Sequence, residues 1–333
     1  MSRKRILQLV CVTASVATLL WLLARIGWPT ISTALSRVGW LSATVLFLLA
    51  LAEGVFDGIA LRVVTGPSLS TWFTIAVNSA GSMLNLILPW ESGEILKGGL
   101  MRQTLGTSQA VSSTVIWNYV FKISRPAFSL TAALLAVVLC PKTPTATLTL
   151  VVVANLLAFS PYLLLRFVIR FGAAEKLVKL ARHLPYLRRA PEHWVDLART
   201  IDKQVQAFWR ERPWAYVQCF LLQVVARTTG VLNLYVGFWA MGMPYGFAEA
   251  VLLHATMNVA EYVISLLPAR VGVGESTAFV VFRLYGLDSG MGLVLYTFLR
   301  VRNILVHGII TPFAFIGRKA TSGDAVAPRP GNE

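Results

Sequence analysis

Two short segments of this chain place carboxylates where the surrounding sequence is apolar. One is Leu88-Pro89-Trp90-Glu91-Ser92-Gly93-Glu94, the other Leu267-Pro268-Ala269-Arg270-Val271-Gly272-Val273-Gly274-Glu275. Each joins a helix breaker to a Gly-Glu step, and each has an arginine eight residues after its glutamate, Arg102 or Arg283. Leu105-Gly106 and Tyr285-Gly286 then punctuate the two segments at matching places. A glutamate at the start of a short helix complements the positive end of the helix dipole, so capping alone accounts for Glu94 and Glu275. The sharper chemistry is a hairpin tip that turns a helix N-terminus and a carboxylate toward a central cavity. Such a tip binds an anion through free backbone N–H groups, takes up a proton, or holds an arginine.

Cations recur within the apolar stretches as well: Arg102, Lys122, Arg125, Arg227, Arg283 and Arg300, with Lys97, Arg270 and Arg302. Snorkelling to the nearest interface suits Arg62 and Arg318. Arg125, Arg227 and Arg300 fall away from the expected helix ends. A charge near the bilayer centre costs about 2.5–3.5 kcal/mol on insertion scales, so such residues pair or face a polar pathway. Arginine suits a lipid phosphate because its planar fork reaches two oxygens at once. The candidate substrate-binding set is therefore Glu94, Arg102, Lys122, Arg125, Arg227, Glu275, Arg283 and Arg300. Glu53, Asp57 and Glu261 are the intramembrane acids, candidates for gating or proton coupling, with plain ion pairing to the arginines as the alternative. Glu53 and Asp57 are four apart and share a helix face. Asn78, Asn85, Asn118, Asn258 and His254 are suited to hydrogen bonds between helices.

No nucleophile motif, phosphate loop or metal-binding pair of aspartates stands out. Cys11, Cys140 and Cys219 are scattered, without a C-x-x-C pair. His183, His193, His254 and His307 lack metal-ligand spacing. The expectation is a chain with no catalytic residue, no metal and no cofactor, and not an enzyme.

These residues need elements to hold them, and the composition says which. Of 333 residues 56% are hydrophobic and only 14% charged, with mean hydropathy +0.65; a soluble domain carries about 25% charged residues. Apolar runs long enough to cross a bilayer recur along the chain. The net charge of +15 reads as lysine and arginine gathered in cytoplasmic loops and near anionic headgroups. No continuous basic domain exists, so nucleic acid is not an expected partner.

Of about seven expected spans, six are placed, at residues 6–27, 39–64, 108–140, 145–170, 214–241 and 288–316. Residues 71–106 and 246–286 instead break at Pro89 and at Pro268 with Gly272 and Gly274, and their second halves are too short to cross. Both read as re-entrant hairpins, tolerated at membrane depth where protein or a water-filled cavity surrounds them. Helix 108–140 is expected to bend at Pro126. The polar segment 171–212, with Leu177, Leu180, Val195, Leu197 and Ile201 at helical spacing, reads as a cytoplasmic amphipathic linker. The tail after Arg318 reads as disordered. With the basic start (Arg3-Lys4-Arg5), the linker and Arg318-Lys319 all inside, span–hairpin–span occurs twice in opposite orientation, an inverted-topology repeat.

The pattern resembles the transmembrane, flippase-like domain of lysylphosphatidylglycerol synthases. The residues that carry the resemblance are Asn85 to Pro89 through Gly93-Glu94, Leu105-Gly106 and Ser108, and the basic pair Lys122 and Arg125. In the second half they are Leu267-Pro268 through Gly272-x-Gly274-Glu275, Tyr285-Gly286 and Arg300. Trp90-Glu91-Ser92 departs from the pattern, which has a basic residue after the proline. The resemblance implies a polytopic inner-membrane protein that moves lipids between leaflets. In the full-length synthases a soluble aminoacyl-transferase domain follows; here aminoacylation is not expected, and stand-alone members are associated with hopanoids and polyprenyl glycolipids.

The sequence thus predicts an all-α polytopic membrane protein with about seven transmembrane helices and two re-entrant helical hairpins forming an inverted repeat. Residues 1–318 would form the membrane domain, with repeats at about 39–140 and 214–316, and 319–333 the tail. The expected activity is translocation of a lipid with a polar or anionic headgroup in a bacterial inner membrane, both termini cytoplasmic. The alternatives are an intramembrane lipid-modifying enzyme and a scaffold for a lipid-biosynthesis enzyme. Membrane lipids are the expected partners, with lipid-biosynthesis enzymes and a second copy of the chain as candidate protein partners.

Overall fold

The computed structural model describes residues 36–88, 92–139, 152–160, 193–264 and 273–315, with isolated positions at 29, 32, 149, 175, 176 and 178. The expected span at 6–27, most of that at 145–170, the first part of the linker, both proline tips and the tail lie outside the described residues. Among the described residues the fold is all-α. The named helices are α1 (Trp40–Thr65), α2 (Thr71–Ile87), α3 (Ser92–Leu105), α4 (Thr107–Leu139), α5 (His193–Glu211), α6 (Pro213–Ala240), α7 (Phe247–Ile264), α8 (Val273–Leu284) and α9 (Ser289–Ile310).

Three of the described helices are long and apolar enough to cross a membrane, Trp40–Thr65, Pro213–Ala240 and Ser289–Phe315. Helix α4 is longer still, at 33 residues, and stays helical through Pro126. Helices α3 and α8 are different. With 14 and 12 residues, they reach only about 21 and 18 Å at 1.5 Å per residue, short of the hydrocarbon thickness of about 30 Å.

The packing follows a two-fold rule. Helix α1 packs on α6, and the cross-contacts are exchanged: α2 lies on α9 while α4 lies on α7. Within the halves, α3 bridges α2 and α4 as α8 bridges α7 and α9. The α1–α6 pair runs antiparallel. Arg212, at the start of α6, donates to the carbonyls of Val63 and Val64 at the end of α1. Asp57 meets Arg227 midway, and Leu46 shares a core with Phe238 and Met241 at the other end. These two helices, which hold the same place in the contact pattern, therefore point in opposite directions.

Two apolar cores sit at opposite ends of that pair. One joins the C-terminal half of α1 (Ala60, Leu61, Val64) to Phe73, Met101, Trp117 and the start of α6. The other joins Leu46 to Val231, Phe238, Leu253, Phe282 and Val294. The first hairpin, α2–α3, belongs to the first core and the second, α7–α8, to the other. Glycine lets these helices approach closely, as small-residue spacing does in membrane helices. Gly54 and Gly58 form a small-xxx-small step on α1; a Cβ on Gly58 would lie 2.5 Å from the Ile75 Cα.

The amphipathic expectation for the linker holds in its second half. Helix α5 buries Val195, Ala198, Val205 and Phe208, turns Asp196, Arg199, Lys203 and Arg210 outward, and buries Asp202, which accepts from the Glu175 backbone N–H. Gln204 ties it to α4, donating to Ser108 (3.3 Å) and accepting from Ser112 (2.8 Å). On its exposed side, the hydrogen bond from Arg199 to Glu175 holds the guanidinium pKa above its ordinary value. Tryptophans mark both ends of the long helices: Trp40 and Trp239 at one end, Trp72 and Trp214 at the other, all exposed. That is the placement of an aromatic belt at two membrane interfaces.

Candidate functional site

Between the two apolar cores lies a polar cavity with two lobes. The first, about 170 Å³, is built by α1 to α4, with Arg227 of α6 and Asn303 and His307 of α9. The second, about 260 Å³, is built mostly by α6 to α9. Glu53, Asn85, Leu86, Arg125, Arg227 and Asn303 line both lobes, so the lobes meet at the middle of the α1–α6 pair. The two-fold packing places one lobe against each hairpin.

At the junction Arg227 is buried and shared by two acids. Its Nη2 donates to both Asp57 oxygens at 3.2 and 3.1 Å, and its Nη1 is 3.6 Å from Glu53. Gln223, with its amide nitrogen turned to Asp57 (2.9 Å), receives the Trp117 indole N–H on its oxygen. The chemistry of this contact is already in the spacing. Glu53 and Asp57 are an i, i+4 pair on α1, and Gln223 and Arg227 are an i, i+4 pair on α6. Antiparallel packing brings the two faces together.

The first hairpin tip closes on itself. Asn85 on α2 accepts from the Gly93 backbone N–H (2.7 Å) and donates to Glu94 (3.3 Å). Lys97, one turn on, donates to Glu94 at 3.0 Å. Only 1% exposed, Lys97 also stands 3.6 Å over the Trp117 ring. Lysine is rarely so buried without a partner; here a carboxylate, an amide-supported tip and a π-face together hold the ammonium. Gly81 and Gly93 make this possible, since a Cβ on Gly93 would run into the Gly81 carbonyl.

The second glutamate is held from the neighbouring helix. Glu275, fully buried on α8, accepts from Arg300 of α9 at 2.9 and 3.0 Å. Arg300 also donates to the Leu86 carbonyl at the end of α2 (2.6 Å). One guanidinium thus ties the second hairpin to the first. Next to it Arg302 donates to the Leu46 carbonyl, to Asn233 and to Asn303.

Most of the sequence-predicted site residues gather here. Glu53, Asp57, Glu94, Lys122, Arg125, Arg227 and Arg300 line the lobes, and Glu275 stands behind Arg300. Arg102 and Arg283 do not: each is exposed on the last turn of its short helix. Eight residues are 2.2 helical turns, which puts each arginine about 80° around its helix from the glutamate. The Glu261 side chain lies outside the described residues. Gln223, Trp117 and Tyr296 join the lining or its support without having been singled out; only Gln223 carried a local signal, its i, i+4 spacing to Arg227. Lys97 and Arg302 had been noted as cations but not placed at the site; Lys97 carried the signal of its i, i+3 spacing to Glu94.

Among the described residues six cations line the cavity, Lys97, Lys122, Arg125, Arg227, Arg300 and Arg302, against the carboxylates Glu53, Asp57 and Glu94. Among these residues, even with Glu275 added, positive charge is in excess, which suits an anionic ligand. Among the described residues no group of His, Cys, Asp and Glu is arranged to hold a metal ion. A family model described as the lysylphosphatidylglycerol synthase TM region matches residues 6–310. No curated protein and no solved structure matches the chain.

Proposed function

Because this chain belongs to the lysylphosphatidylglycerol synthase transmembrane family, a membrane protein family tied to lipid metabolism, we propose that it is a lipid translocase of the flippase type. It moves a lipid with an anionic or otherwise polar headgroup between leaflets and does not change the lipid chemically. The observation that carries this reading is the cation-rich, two-lobed cavity at the junction of two helical hairpins. A headgroup crossing the bilayer needs a polar waypoint near the midplane, because charge is expensive there. Arg227, Arg125 and Arg300 offer phosphate oxygens the fork geometry they favour.

On this reading α2–α3 and α7–α8 are re-entrant hairpins that enter from opposite faces, and the halves are inverted repeats. The support is the shortness of α3 and α8, the antiparallel α1–α6 pair and the exchanged contacts of α2 and α4. Transporters of this architecture bind at the interface of the repeats and alternate access by moving one against the other. The basic end of the molecule, with Arg62, Arg210 and Arg212, faces the cytoplasm, and the membrane is the bacterial inner membrane. Glu94 and Glu275 position the cations that meet the headgroup. Glu53 and Asp57 neutralise Arg227 until an anion replaces them, which makes them the gating or proton-coupling pair.

The test is translocation of a fluorescent anionic phospholipid in proteoliposomes. The expected result is a rate well above protein-free vesicles for the wild type, and a rate near the protein-free level for Glu94→Ala and Glu275→Ala. Equal rates for the wild type, both variants and empty vesicles would overturn the proposal.

A further inference from the structure

Arg102 and Arg283 stand apart from every cation of the cavity. The structure gives neither a hydrogen bond, an ion pair nor a ring contact with any described residue, and both are exposed. They occupy equivalent places, the last turn of α3 and the last turn of α8. Yet they lie at opposite ends of the molecule. Leu105, beside Arg102, packs on the first apolar core, whereas Phe282, beside Arg283, belongs to the second.

Each arginine also ends a matched stripe. On α3, Ile95, Gly99 and Arg102 are exposed at i, i+4, i+7 spacing. On α8 the same spacing gives half-buried Ser276, then exposed Val280 and Arg283. Each stripe starts next to the tip glutamate and runs about 10 Å along its helix. A Cβ on Gly99 would meet nothing within 4 Å, so that stripe is open along its length. Two ordinary explanations cover only part of this. A cation in the last turn complements the helix dipole, but that asks for no exposed stripe. Topology places arginines on the cytoplasmic side, which serves Arg102 but not Arg283 at the other end.

We infer that Arg102 and Arg283 are the headgroup-capture residues of the two leaflets. Each binds the phosphate of an anionic phospholipid at its own interface, while the acyl chains lie on the stripe that leads to the cavity. This rests on the translocase reading and adds to it two entry sites outside the cavity. The long arginine stem lets the guanidinium reach headgroup depth from the last turn of each short helix. Without a carboxylate partner among the described residues, the charge is available to the lipid.

The experiment uses the full chain with Arg102→Gln, Arg283→Gln and the charge-keeping Arg102→Lys and Arg283→Lys. Two readouts are taken: retention of phosphatidylglycerol against phosphatidylcholine by native mass spectrometry, and translocation rate against the mole fraction of phosphatidylglycerol in proteoliposomes. Each Gln variant should retain less phosphatidylglycerol, keep its phosphatidylcholine level, and raise the half-saturating mole fraction about fivefold with the maximal rate unchanged. The Lys variants should behave like the wild type. Wild-type retention and wild-type half-saturation in both Gln variants would overturn the capture sites while leaving translocation intact. Selective loss of retention in a protein that moves no lipid would uphold the capture sites and defeat the translocase reading.

Discussion

The two hairpins solve one problem differently. Each must bury a glutamate at the start of a helix too short to cross the membrane. In the first, Glu94 is satisfied from within, by Lys97 one turn along its own helix and by Asn85 across the hairpin. In the second, Glu275 reaches out to Arg300 on the next helix, and Arg300 in turn holds the Leu86 carbonyl of the first hairpin. The difference assigns separate duties. Among the described residues, the first glutamate is held within its own hairpin, and the second is held by the joint between the halves. Burial agrees with this, since Glu275 is 0% exposed and Glu94 14% by side chain.

The sharpest way to break the contrast is Arg300→Ala. It leaves Glu275 buried without its cation and the Leu86 carbonyl without its donor, a loss expected at about 3–5 kcal/mol. Thermal unfolding of the purified protein should show it as the largest drop among the cavity cations. Lys97→Met should cost less, about 1–3 kcal/mol, because Asn85 still donates to Glu94 and that carboxylate retains some contact with the cavity. If the two variants lose equal stability, the tips are equivalent and the contrast fails. A finer test lies in the glycines. Gly93→Ala drives a methyl into the Gly81 backbone, which cannot step aside, whereas Gly274→Ala meets the Tyr296 ring at 3.0 Å, and a side chain can shift. Overpacking costs about 1–3 kcal/mol; Gly93→Ala should fall at the top of that range and Gly274→Ala at or below its bottom, read from the same melting curves.

Much of the architecture was legible before any coordinates. Hydrophobic run length and helix breakers placed α1, α2–α3, α4, α6, α7–α8 and α9 within a few residues of where they lie. The repeated Pro…Gly-Glu segment fell just before and at the starts of α3 and α8, and basic residues at three loops led to the expectation of opposed halves, with which the antiparallel α1–α6 pair agrees. Partner choice was not legible. Arg283 and Arg300 both follow Glu275, and nothing in the spacing said which of them would meet it. Eight residues along one helix carry a side chain round to another face, while Arg300, 25 residues after Glu275, returns on the packed neighbour. Periodicity within a helix reports which residues share a face. It does not report which helix that face will meet, which is decided by small residues such as Gly58 and Gly81 that let particular backbones approach.

The pairing of one apolar core with each hairpin has a mechanical consequence. A protein with one continuous core transmits strain through its whole thickness. Here the two cores are separated by a layer of charged and polar side chains, and α1 and α6 run through that layer as an antiparallel pair. On the translocase reading each core lies in its own leaflet, so the lateral pressure of one monolayer acts on one core first. The molecule is then a two-storey device with a polar floor between. Crowding, thinning or a change of lipid in a single monolayer would shift one storey against the other, and the Arg300 link is where that shear would concentrate.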